Sequence, residues 1–130
     1  MTRVLLDTNI VIAVTEDRFD QLSKSVRTLL RHDSEAIFVS VTSLWEIAIK
    51  HRLGKLELSV PPKELSVVLR ALNFQILEIE EAHVFVDIAP EPQTSDPFDR
   101  LLLGVCAAEN LELVTRDRVL AKHPLAWKGE

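Results

Sequence analysis

Short apolar runs recur along this chain, and each hands over to a segment of helical spacing. Val4-Leu5-Leu6 precedes a short helix predicted over Asn9 to Val14. Ile37-Phe38-Val39-Ser40-Val41 is β-branched and aromatic, and precedes a predicted helix from Thr42 to Leu53, stopped by Gly54. Phe74 to Ile79 and Leu111 to Thr115 read as two more strands. Strands without a polar face cannot lie on a half-solvated sheet. Alternating with helices, they call for a parallel sheet covered on both faces. The predicted class is therefore α/β, with a central parallel sheet of four to five strands flanked by helices. A chain of 130 residues has the length of one domain, predicted over residues 1–130.

The remaining helices follow from spacing. Asp20 to His32 places Leu22, Val26, Leu29 and Leu30 on one face. Pro61-Pro62 opens a helix carrying Leu65, Val68, Leu69 and Leu72, and Glu80 to Ala89 reads as another, ended by Pro90. Asp96-Pro97 opens a helix to about Asn110, with proline at the first helical position, where its missing N–H does no harm. Arg116 to His123 reads as a last short helix, with a brief strand near Ala126-Trp127.

Several chemistries are excluded. Gly54, Gly104 and Gly129 are far apart, so no glycine-rich phosphate loop exists. Cys106 is the one cysteine, which excludes an intrachain disulfide, a thiolate zinc site and a CxxC pair. A lone thiol in an apolar run fits a reducing interior. The N-terminus meets Asp7 too early for a secretory signal, and no apolar run approaches the ~18 residues of a membrane span. The expected location is cytoplasmic, with no membrane contact.

In a parallel sheet, ligands bind at the carboxyl ends of the strands. Asp7, Glu46 and Asp117 follow strands there, and Asp99 joins them if its helix points its N-terminus at that edge. Each acid has a plain structural use. Asp7 and Asp117 could cap helices, Ser43 and Glu46 fit an S-x-x-E capping box, and Asp99 could answer an N-cap at Asp96. Capping alone does not require four carboxylates at one edge. Two of them ~4 Å apart repel by about 4 kcal/mol at an effective dielectric of ~20. A carboxylate cluster without His or Cys suits a hard cation, Mg²⁺ or Mn²⁺, and the phosphoryl chemistry that such ions support.

The strings Leu5-Leu6-Asp7-Thr8-Asn9, Ser43-Leu44-Trp45-Glu46-Ile47-Ala48-Ile49-Lys50, Asp96-Pro97-Phe98-Asp99-Arg100-Leu101-Leu102 and Val114-Thr115-Arg116-Asp117 together resemble the PIN-domain ribonucleases. The likeness is nearest to the VapC-like toxins of prokaryotic toxin–antitoxin pairs, and it spans nearly the whole chain. It implies a three-layer PIN-like sandwich. It also implies one or two Mg²⁺ or Mn²⁺ ions held by Asp7, Glu46, Asp99 and Asp117, with Thr8, Asn9 and Thr115 supporting those ligands. The implied activity is endoribonuclease hydrolysis of RNA by a metal-activated water. A homodimer and a cognate antitoxin partner are implied as well. One departure stands out: relatives often carry a basic or His-containing stretch before the DPFDR string, where this chain has Pro92-Gln93-Thr94-Ser95. Housekeeping RNA processing and a non-catalytic binding module remain as other readings. An aspartyl phosphotransferase would want an acid two residues after Asp7, and Asn9 stands there.

An RNA substrate requires cations. Lys50, Arg100 and Arg116 lie nearest in sequence to the acids and are the expected phosphate contacts, although Lys50 could equally pair with Glu46 one turn away. His32, His51, His83 and His123 are expected at the surface or at helix ends, and Trp45 and Trp127 in core or dimer contacts. The net charge of −5 argues against a nucleic-acid partner only if it is spread evenly, because four of the 20 acids belong to the candidate site.

Overall fold

In a computed structural model describing residues 2–32 and 36–129, four strands form one parallel sheet. They are β1 (Val4–Leu6), β2 (Ile37–Ser40), β3 (Gln75–Leu77) and β4 (Glu112–Val114), in the order β3-β2-β1-β4. Val4 pairs with Ile37 on one side and with Glu112 on the other. The helices are α1 (Thr8–Thr15), α2 (Lys24–His32), α3 (Val41–Arg52), α4 (Leu65–Ala71), α5 (Glu81–Phe85) and α6 (Pro97–Glu109).

Strand side chains alternate between two faces, and each face builds its own core. Val4, Leu6, Ile37, Val39 and Val114 meet Ile10, Val11 and Val14 of α1, Leu29 and Leu30 of α2, Ile47 of α3 and Leu69 of α4. Leu5, Phe38 and Leu113 face the other way, onto Leu102, Leu103, Val105 and Cys106 of α6. All three residues of β1 are fully buried. Burying such a leucine or valine stabilises by about 1.5–3 kcal/mol, which is how three-residue strands hold a sheet. The result is the α/β parallel sheet covered on both faces that the apolar runs predict, with four strands, and the three-layer sandwich that the resemblance implies.

Several boundaries differ from the sequence expectation, each for a local reason. The predicted Asp20–His32 helix divides into a 3₁₀ turn at Phe19–Gln21 and α2, because Leu22 and Ser23 interrupt the helical backbone. Thr8 already belongs to α1, since Asp7 caps it. Ser40, not Ser43, caps α3: its hydroxyl accepts from the Thr42 amide at 2.9 Å. The Ser43–Glu46 capping box is therefore not formed. Pro62–Glu64 is a 3₁₀ turn ahead of α4. The Glu80–Ala89 helix shrinks to α5, because Val86 turns extended. Arg116–His123 contains only a 3₁₀ turn at Leu120–Lys122, and the strand near Ala126 is a single bridge to Leu113. As expected, Asp96 caps α6 through the Phe98 amide at 2.8 Å, and Asn110 ends that helix in a left-handed conformation.

Two histidines depart further from expectation. His83 is 1% exposed, and His123 is also buried. Both satisfy two ring nitrogens locally, which is what lets an imidazole leave water. His83 Nδ1 accepts from the Glu80 amide at 3.1 Å, so Nε2 carries the proton and donates to Glu109 at 2.7 Å. His123 Nδ1 accepts from the Leu125 amide, and its Nε2 donates to the Pro90 carbonyl. Trp45 is 51% exposed rather than in the core, while Trp127 is half-buried against the α1–α4 side.

The His83–Glu109 pair ties α5 to α6, and Gly104 allows the approach. A Cβ at Gly104 would overlap the His83 carbonyl oxygen, which is backbone and cannot swing aside. Gly104→Ala is expected to cost about 1–3 kcal/mol through overpacking, despite alanine's better helix propensity. A urea midpoint unchanged by the substitution would contradict this tight seam.

Candidate metal centre

The topology decides where the acids go. Asp7 leaves the carboxyl end of β1, at the middle of the sheet. Asp117 follows β4, and Glu46 lies in the second turn of α3, which starts where β2 ends. Helix α6 leads into a parallel strand, so it runs against the strand direction and brings Asp99, in its first turn, to the same edge.

Two threonines, Thr8 through its amide and hydroxyl and Thr115 through its hydroxyl, connect three of these acids. Asp7 Oδ1 accepts from the Thr8 amide at 2.7 Å, and Thr8 Oγ1 donates to Glu46 Oε1 at 2.7 Å. Ser43 Oγ lies 3.0 Å from the same Thr8 oxygen. On the other side, Thr115 Oγ1 donates to Asp7 Oδ2 at 2.6 Å and accepts from the Asp117 amide at 3.0 Å. Asp117 Oδ1 accepts from the Val119 and Leu120 amides. Asp99 is held separately: Thr94 Oγ1 donates to its Oδ2 at 3.0 Å. Asn9 is exposed in the first turn of α1 and bonds to none of the four acids.

The electrostatics record the crowding. Burial pushes the Asp7 pKa above its ordinary range, hydrogen bonds from Thr115 and Thr8 pull it back, and Glu46 and Asp117 raise it again. Burial pushes Asp99 up to about 6, helped by Asp96, Asp7 and Asp117. The nearest cation is Lys50, whose ammonium meets Glu46 Oε2 at 2.7 Å. That bond is the main reason why the Lys50 pKa is raised, with Asp96 and Asp99 adding to it.

Capping explains only part of this set. Asp7 and Asp117 each use one oxygen as a helix or turn cap, whereas Glu46 and Asp99 cap nothing. Among the described residues, no three of the four acids bring donor atoms within 4.8 Å of one another; the one group that does is Glu80, His83 and Glu109. Both ring nitrogens of that histidine are already engaged, so it is a packing device. The four acids fit a hard cation by a different measure. They are an all-oxygen donor set, neighbouring carboxylates help raise the pKa of Asp7 and Asp99, and an ammonium already neutralises one of them.

The other expected cations are placed less openly than the sequence suggested. Arg116 is exposed, and its Nη1 donates to the Gln21 carbonyl at 3.3 Å. Arg100 lines an apolar groove of about 250 Å³ with Trp45, Val84 and Phe98, and its Nη1 is buried with no hydrogen-bond partner among the described residues. Trp45 and Phe98 meet edge to face at 5.0 Å in that groove. Sequence reading missed Thr94 and assigned Ser43 only to a cap. A T-x-D turn ahead of the α6 cap was the available signal for Thr94, whose Oγ1 also accepts from the Asp96 amide.

The raised Asp99 pKa has a consequence for stability. The folded state holds this proton more tightly than the unfolded chain, so its contribution is full below about pH 4 and lost as pH rises through about 6. In chelator, the melting temperature is expected to fall between pH 4 and pH 7. Asp99→Asn should flatten that decline and raise the melting temperature at pH 7. A mutant with the same pH dependence as wild type would refute the assignment.

The fold has counterparts among known proteins. Three solved structures share the fold at low sequence identity. A toxin–antitoxin complex from Klebsiella pneumoniae superimposes with a TM-score of 0.62 at 18% identity, covering 95% of both chains. A DNA-bound VapBC from Salmonella typhimurium gives 0.65 at 17%, covering 97% of this chain and 96% of the other. VapBC2 from Rickettsia felis, bound to a promoter DNA fragment, gives 0.64 at 18%, covering 96% of each. No curated protein matches in sequence. The family model for the PIN domain matches residues 4–124, and with that match across nearly its whole length the chain belongs to the PIN-domain family.

Proposed function

We propose that residues 1–130 form one PIN-like nuclease domain, a metal-dependent endoribonuclease that acts as the toxin of a toxin–antitoxin pair. The observation that carries this reading is the joining of Asp7, Glu46 and Asp117 through Thr8 and Thr115, with Asp99 feeling the charge of Asp7 and Asp117. Two of these acids have no capping duty, which counts against a binding module whose acids only end helices.

One or two Mg²⁺ or Mn²⁺ ions at these carboxylates would supply an activated water and neutralise charge on a phosphodiester. The protein's part is positional. Asp7 is held on both oxygens, so its direction is set by α1 and by Thr115. Thr8 aims one oxygen of Glu46. Thr94 orients Asp99, and the Val119 and Leu120 amides orient Asp117. Such supporting bonds typically change metal affinity or activity by about 10–100-fold when removed. Asn9 makes no such bond; its proposed support is confined to lining the site from the exposed side of α1. Lys50 touches Glu46, while Arg100 and Arg116 adjoin Asp99 and Asp117 along the chain; these three are the proposed contacts to RNA phosphates.

The structural neighbours are toxin–antitoxin complexes, which supports a cognate antitoxin as partner and favours the toxin over a housekeeping nuclease. The apolar groove at Trp45, Val84 and Phe98 offers a surface for a homodimer. Among the described residues, no helix is long and apolar enough to cross a membrane. The proposed setting is the cytoplasm.

Cleavage of single-stranded RNA should require Mg²⁺ or Mn²⁺ and stop in chelator. Asp7→Asn should lower the rate by roughly two orders of magnitude or more, the scale of losing several kcal/mol of metal-supplied stabilisation. Equal cleavage by the two proteins, or full activity in chelator, would remove the metal reading. Sedimentation velocity tests the dimer: wild type should run as a dimer and Trp45→Glu as a monomer, and a monomeric wild type would exclude it.

A further inference from the structure

Glu46 is the one acid of the four with a cation on it. Its side chain is almost wholly buried, and both oxygens are taken, Oε1 by the Thr8 hydroxyl and Oε2 by the Lys50 ammonium. Among the described residues, no other Lys, Arg or His lies within 4.0 Å of a carboxylate oxygen of Asp7, Glu46, Asp99 or Asp117. Lys50 sits one turn after Glu46 in α3, and its side chain is 46% exposed. It can therefore leave by rotating its stem into water. Glu46, packed on Thr8, cannot move away without breaking that bond.

We infer that Lys50 is a built-in competitor for the metal, its ammonium and the cation taking Glu46 Oε2 alternately. The inference rests on the metal-centre reading above. Without metal, the ammonium spares Glu46 the cost of a buried, unpaired carboxylate beside Asp7. With metal, the same positive charge opposes a divalent ion and must give up its oxygen. Both effects weaken metal binding, so the wild-type site is held below the affinity its carboxylates would otherwise reach.

Isothermal titration with Mn²⁺ tests this directly. Lys50→Met keeps the aliphatic stem and removes the charge, and should bind Mn²⁺ at least roughly tenfold more tightly than wild type. Lys50→Arg keeps the charge and should stay near wild type. The metal-free Lys50→Met protein should melt lower, and its rise in melting temperature with Mn²⁺ should exceed that of wild type. In ¹⁵N-detected spectra, the Lys50 ammonium signal, assigned by its absence in Lys50→Arg, should be visible without metal and vanish on saturation with Mg²⁺. An affinity that is unchanged or weaker in Lys50→Met, or an ammonium signal that survives saturation, overturns the competition. If Asp7→Asn abolishes Mn²⁺ binding while Lys50→Met binds like wild type, only the competition fails. No binding by any of the proteins overturns the metal centre itself along with it.

Discussion

Asp7 joins the sheet, the first helix and the acid cluster through one residue's bonds. Its amide donates to the Val114 carbonyl at 2.9 Å and so closes the β1–β4 ladder. Its carbonyl accepts from the Ile10 and Val11 amides and starts α1. One carboxylate oxygen caps that helix, and the other is pulled toward β4 by Thr115. The carboxylate is consequently driven into a place where burial disfavours its charge. The two cores on either side of β1 supply the stability that this arrangement draws on.

The rest of the edge can be understood as the management of that charge. Threonine hydroxyls stand between the acids: Thr8 between Asp7 and Glu46, and Thr115 between Asp7 and the Asp117 amide. A hydroxyl donates to a carboxylate at short range without adding a charge of its own, and this favours the ionised form against burial. Among the described residues, lysine is by contrast admitted at one point, on Glu46, from the exposed end of α3. Asp99 has Thr94 to set against burial and its acidic neighbours, and its pKa rises to about 6.

Much of this was legible in the residues alone. The apolar runs at Val4-Leu5-Leu6 and Ile37–Val39 demanded a sheet covered on both faces, and the parallel ladders follow. Asp96-Pro97 marked the start of α6 because capping and proline geometry are local. What depended on distant contacts was not legible. Ser40 and Ser43 are equally good caps on paper, and the end of the β2 pairing decides between them. His83 looks like a surface residue until Gly104 lets α6 close over it. The Lys50–Glu46 spacing was visible as a helical pair, but the burial of one partner and the exposure of the other came only from packing. For the acids, position along the chain suggested a shared edge. The family resemblance names Thr8 and Thr115 as supports, but which oxygens they meet depends on the packing of α1, α3 and β4.

The division of labour among the acids also bears on how the activity could be silenced. Asp7 carries backbone structure, so a larger change there would disturb the sheet and the first helix together with the chemistry. Glu46 and Asp99 begin no helix. A charge-neutral amide at either position leaves the main-chain bonding of the edge as it stands. On the proposed reading of the site, an inert form of the chain, suited to holding a nucleic acid or a protein partner without destroying it, is therefore better made at these two positions than at the residue on which the architecture turns.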